Sequence, residues 1–97
     1  MLRRDLTFEE KVGIIQIAPN PTEGNLFVDV SKFMDKPVAY FVSTADGQQI
    51  MEGTWDVDHS DTVELNLENV QNGIYILYLK PLPGRAIATK FVVSKNY

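Results

Sequence analysis

From Ile14 onward, apolar and polar positions recur with a period of two rather than 3.6. Leu26, Val28 and Val30 alternate with Phe27, Asp29 and Ser31, which predicts a strand with one buried face. Val63, Leu65 and Leu67 repeat the pattern within Thr62 to Leu67. Val38 to Thr44 and Ile74 to Lys80 are apolar at both parities, the pattern of strands inside a sheet. Ile14 to Ala18, Gln48 to Trp55 and Ala86 to Ser94 complete the predicted set. Turn-formers separate these runs: Pro19-Asn20-Pro21 with Thr22-Glu23-Gly24-Asn25, then Asp35-Lys36-Pro37, Asp46-Gly47, Asp56 to Asp61, Glu68 to Gly73, and Pro81 to Arg85. Proline fixes φ and lacks a donor, so it ends ladder pairing. Gly24 and Gly73 are expected to supply permissive backbone angles, and Asp46-Gly47 is a strong hairpin signal.

Short strands with turn signals every ~8–12 residues predict an all-β fold, an antiparallel β-sandwich of seven strands and immunoglobulin-like type. Connections of hairpin length predict that consecutive strands are antiparallel neighbours. Residues 1–13 differ: Arg3, Arg4, Asp5, Glu9, Glu10 and Lys11 surround Leu6, Phe8 and Val12. Thr7 and Glu10 have capping-box spacing, but so short a helix is marginal alone. The stretch reads as a linker or N-terminal arm, and residues 14–97 as one domain.

The chain has 97 residues, with 9 basic and 13 acidic side chains and a net charge of −4. That balance opposes a nucleic-acid partner, which requires a basic footprint, and a polybasic membrane anchor. The longest apolar run is far below the ~18 residues of a spanning helix, so no stable membrane insertion is expected. Without cysteine there is no disulfide, thiolate metal site or Cys nucleophile.

Candidate chemistry is sparse. Asp56-x-Asp58-x-Ser60 has the opening of a calcium loop, but Asp61 and Leu67 stand where that loop needs Gly and Glu. A solvated acidic loop is the reading favoured, with no metal or cofactor expected. His59, the lone histidine, lies beside Asp58 and Asp61. Ser43, Ser60 and Ser94 all lack a nucleophile-elbow context, so no catalytic residue is assigned and an enzyme is not expected. Tyr40, Phe41, Trp55, Tyr75 and Tyr78 either pack the core, since strands favour aromatics, or form a sugar-binding platform with Trp55 as its most exposed member. A carbohydrate-binding or adhesion module is therefore the alternative reading.

Four stretches, in order, carry a more specific signal. They are Ile17-Ala18-Pro19-Asn20-Pro21-Thr22-Glu23-Gly24-Asn25-Leu26, then Phe41 to Ile50 around Asp46-Gly47, then Val63 to Leu67 leading to Asn72-Gly73-Ile74-Tyr75, and finally Thr89-Lys90-Phe91-Val92-Val93. In this order they resemble the type A C-terminal sorting domain of the type IX (Por) secretion system, over about residues 14–95. The resemblance implies a non-catalytic signal that directs a larger parent protein through the periplasm and across the outer membrane of Bacteroidetes-type bacteria. It implies as partners the translocon and its sortase-like signal peptidase. The cargo then ends up secreted or attached to the cell surface.

The recognition-motif residues it implies are Pro19, Asn20, Pro21, Thr22, Gly24, Asp46, Gly47, Asn72, Gly73, Tyr75, Lys90 and Val93. Asn20, Thr22, Glu23, Lys90 and Lys95 are the candidate contacts, while Pro19, Pro21, Gly24, Gly73 and Tyr75 also serve the fold. No signal peptide opens the chain, so a C-terminal piece of a longer parent is expected, with the cleavage region between Arg3 and Gly13. Ser94-Lys95-Asn96-Tyr97 runs slightly past the family's usual basic ending. Unpaired sandwich edges predict weak self-association.

Overall fold

The computed structural model describes residues 15–33, 36–56 and 61–95. The period-two runs form strands β1 (Ile17–Ala18), β2 (Asn25–Asp29), β3 (Pro37–Thr44), β4 (Gln49–Asp56), β5 (Thr62–Asn66), β6 (Gly73–Pro81) and β7 (Ile87–Val93). A short 3-10 turn, Ser31–Phe33, follows β2. The strands make two antiparallel sheets, a three-stranded one in the order β1-β2-β5 and a four-stranded one in the order β4-β3-β6-β7. The seven-stranded sandwich expected from the periodicity is the fold observed.

Alternation places the core between the sheets. Leu26, Val28, Val30, Leu65 and Leu67 face inward from the three-stranded side. Val38, Val42, Leu77, Leu79, Phe91 and Val93 meet them from the four-stranded side. β3 and β6, apolar at both parities, are the two central strands of their sheet.

Consecutive strands are neighbours only at β1–β2, β3–β4 and β6–β7. The connections from β2 to β3, β4 to β5 and β5 to β6 instead change sheets, and β2 pairs with β5 and β3 with β6. The physical reason is that each sheet has one apolar face that must be covered by another layer. A chain that only made hairpins would leave those faces in water. The 3-10 turn carries the first crossing and buries Phe33 on the way.

Other expectations also change. β1 is shorter than the predicted Ile14 to Ala18, and Ile15 joins the core ahead of it. Gly24 is not among the glycines with positive φ, which are Gly47, Gly73 and Gly84. Trp55 is not a free platform residue: it is half-buried against the core and stacked on Tyr40, with ring centroids 4.2 Å apart. Tyr75 is buried and stacked on Phe91 at 5.8 Å. The aromatics therefore form no single exposed row. The N-terminal arm and Asp58, His59 and Ser60 lie outside the described residues.

Candidate functional site: the end of the sandwich around the last strand

The segment after β1 does not hang as a loop. Thr22 N–H donates to the Val92 carbonyl at 2.9 Å, and Ser94 N–H donates to the Thr22 carbonyl at 2.9 Å. Val92 N–H donates to Asn20 Oδ1 at 3.0 Å. These bonds set Thr22 parallel to Val93, so the proline-bracketed turn covers the outer edge of β7. Prolines suit this place because the turn needs few donors of its own.

Thr22 is the knot of the turn. It is fully buried, its hydroxyl donates to the Asn25 carbonyl, and the same oxygen accepts from Gly24 N–H at 3.2 Å. The Gly24 carbonyl accepts from Leu67 N–H at 2.6 Å, which ties the turn to the other sheet. A Cβ at Gly24 would meet Glu68 Cγ at 3.8 Å, an ordinary contact. Glycine there is thus required by neither φ nor space.

The second motif stretch closes on the same strand. Gly73 pairs with Val93, which is 1% exposed. The Tyr75 hydroxyl donates to the Gln71 carbonyl at 2.7 Å, so a buried ring with a satisfied polar tip braces the turn leading into β6. Asn72 clasps the chain beyond β7: Lys95 N–H donates to Asn72 Oδ1 at 2.8 Å, and Asn72 Nδ2 donates to the Lys95 carbonyl at 3.4 Å. The Lys95 ammonium donates to the carbonyls of Glu68 and Val70, at 2.6 Å each. This clasp could not be read from sequence, because its partners lie 23 or more residues apart.

The Asp46-Gly47 hairpin lies at the same end, since Thr44 on β3 pairs with Tyr75 on β6. Gly47 N–H donates to the Thr44 carbonyl at 3.0 Å, and Thr44 N–H to the Gln48 carbonyl at 2.9 Å. Gly47 has φ of 99°, the left-handed position of a three-residue loop. The Thr44 hydroxyl donates to Asp46 Oδ1, fixing the aspartate inside the turn.

Asn20, Thr22, Asn72, Gly73, Tyr75 and Val93 are thus brought together around β7, with Asp46 and Gly47 nearby. Pro19 and Pro21 are exposed beside them. Lys90 is apart: it projects from the outer face of β7, opposite Ile76. Glu23 and Lys90 are exposed and make no hydrogen bond or ion pair among the described residues.

This end has no acid–base machinery among the described residues. Among the described residues, Asp29, which pairs with Thr62 at the far end of β2, has a shifted pKa. Its carboxylate lies below the usual range because it accepts from the Ser31 hydroxyl and N–H, with Lys32 adding a smaller attraction. Among the described residues no group of three or more His, Cys, Asp or Glu side chains is arranged to hold a metal ion. No helix among them is long and apolar enough to cross a membrane.

A family model described as "Secretion system C-terminal sorting domain" matches residues 16–94. The comparison with curated proteins gave no match.

Proposed function

The chain belongs to the secretion system C-terminal sorting domain family, the sorting signals of type IX secretion, and from that premise we propose that the folded end around β7 is the surface the translocon reads. The single observation that carries this is the docking of the Pro19 to Gly24 turn on β7. It makes one surface of motif stretches about 70 residues apart, as the 72-residue separation of Asn20 and Val92 shows. The domain acts without catalysis, by presenting groups in fixed positions.

The roles divide by what each side chain is already doing. Thr22, Tyr75 and Val93 are buried and hold the surface in place. Asn20 Oδ1 and the Lys95 ammonium are bonded to backbone partners, and these residues act by positioning. Glu23 and Lys90 have exposed charged ends and are the direct contacts. Residues 1–13 serve as the linker to a larger parent, where the sortase-like peptidase cuts between Arg3 and Gly13, and residues 14–97 are the sorting domain. Cargo is then released or attached to the cell surface.

The test is a fluorescent reporter placed behind a Sec signal and ahead of this chain, in a host with a type IX system. The intact chain is expected to carry the reporter outside, and deletion of residues 86–97 to leave it in the periplasm. If the intact chain stays in the periplasm while the host exports its own cargo, the sorting role is wrong.

A further inference from the structure

The two outer sheet faces differ in kind. On the three-stranded sheet, Asn25, Asp29, Glu64 and Asn66 surround the exposed Phe27. On the four-stranded sheet the strand registers align apolar side chains across the face. Phe41 pairs with Tyr78 and Tyr78 with Ala88 in one row, and Ile74 pairs with Val92 in another. Ile76 lies between those rows, and Ile74 is 49% exposed. Phe41, Ile76, Tyr78 and Val92 are half-buried on this face.

Glu52 and Lys90 sit on its opposite edges. Glu52 on β4 flanks Phe41, while Lys90 on β7 flanks Ile76. β4 and β7 are the two outer strands of the sheet. A two-fold axis parallel to the strands, between β3 and β6, would lay β4 of one copy over β7 of another. Glu52 of each copy then falls over Ala88 of the other, one row from Lys90. Phe41 of each copy meets Tyr78 of the other at the centre, and Ile76 falls over Ser43. The opposite two-fold, across the strands, would lay β4 over β4 and β7 over β7, bringing Glu52 toward Glu52 and Lys90 toward Lys90. Of these two arrangements, the first brings opposite charges toward each other and the second like charges. Lys80 on the same face donates to the Gly84 carbonyl at 2.8 Å, and Glu52 Oε1 accepts from Gln49 Nε2 at 3.1 Å.

We propose that the outer face of the four-stranded sheet pairs two copies of this chain face to face, with Glu52 of one copy meeting Lys90 of the other. This differs from pairing through strand edges and does not depend on the sorting role. Strands about 4.8 Å apart and rows spanning about 20 Å give a footprint of roughly 400 Å². That is about half of the ~800 Å² per partner typical of stable complexes, so the pair is weak and reversible.

Sedimentation equilibrium of the full chain, from about 10 μM to about 1 mM, tests this. The intact chain is expected to show mass rising with concentration toward a dimer. Lys90→Glu and Glu52→Lys should each weaken association at least fivefold, and the double reversal should restore it to within about twofold. Ile74→Lys should abolish it, with far-UV circular dichroism unchanged in all four variants. A monomer at every concentration overturns the proposal. So does a dimer indifferent to Lys90→Glu and Ile74→Lys but lost on Thr54→Pro, which would assign association to the β4 edge.

Discussion

Tyr75 shows how one side chain can serve a turn and the core together. Its ring packs on Phe91 while its hydroxyl reaches the Gln71 carbonyl. Tyr75→Phe keeps the ring and strands that carbonyl, and should lower unfolding free energy by about 1 kcal/mol in urea titrations. Gly53 is the residue whose reason is hardest to see in sequence. A Cβ there would lie 2.6 Å from the Tyr40 hydroxyl, because the Tyr40 ring lies over the glycine on its way to Trp55. Gly53→Ala should push the ring off, lose the stack, and change the near-UV circular dichroism and tryptophan fluorescence. Its destabilisation should reach the ~1–3 kcal/mol typical of overpacking. Asp29 supplies a pH dependence with a definite sign. Its folded pKa is lowered below the unfolded value of 3.8, so its contribution is full above that pH and lost as pH falls through the folded value. Asp29→Asn should therefore flatten the acid limb of stability below pH 3.8 and leave the relative pH dependence near neutrality unchanged. Denaturant midpoints measured at several pH values check this.

At the scale of elements, alternation located strands such as β2 and β5, which have a dry and a wet face, and continuous apolar runs between turn-formers located β3 and β6. Strand pairing was less legible. β2 pairs with β5 and β3 with β6, strands that are not consecutive in the chain, and no local pattern distinguishes a turn that reverses within a sheet from one that changes sheets. Gly24 illustrates the same gap: its turn is set by the buried Thr22 hydroxyl, not by a left-handed glycine. The clasp of Asn72 on Lys95 gives a local prediction. Asn72→Ala should speed amide exchange at Lys95 and Ser94, while the amides of Leu77 and Leu79 in central β6 keep their protection. Uniform acceleration across β6 would show that the clasp supports the whole fold instead of the chain end.

For the molecule as a whole, the motif residues were visible in sequence, but their assembly was not. Pro19 to Gly24 and Asn72 to Tyr75 read separately as turns; the parallel bridge of Thr22 to Val93 joins the first to the last strand, and the pairing of Gly73 with Val93 joins the second. Burial then separates positioning residues such as Thr22 from exposed groups such as Glu23, a distinction that residue type alone does not make. The central claim is that a folded surface, not a linear stretch of motif residues, is what is read. Phe91→Ala separates the two: it leaves every motif residue in the chain but removes a fully buried ring from β7. Its expected cost, ~3–5 kcal/mol, is a large part of the ~5–15 kcal/mol that holds a domain together. The decisive measurement is reporter export by Phe91→Ala beside the intact chain, with the folded fraction of each measured at the same temperature. Export falling in step with the folded fraction is the predicted result. Export at the intact level by a chain that is largely unfolded would contradict the account.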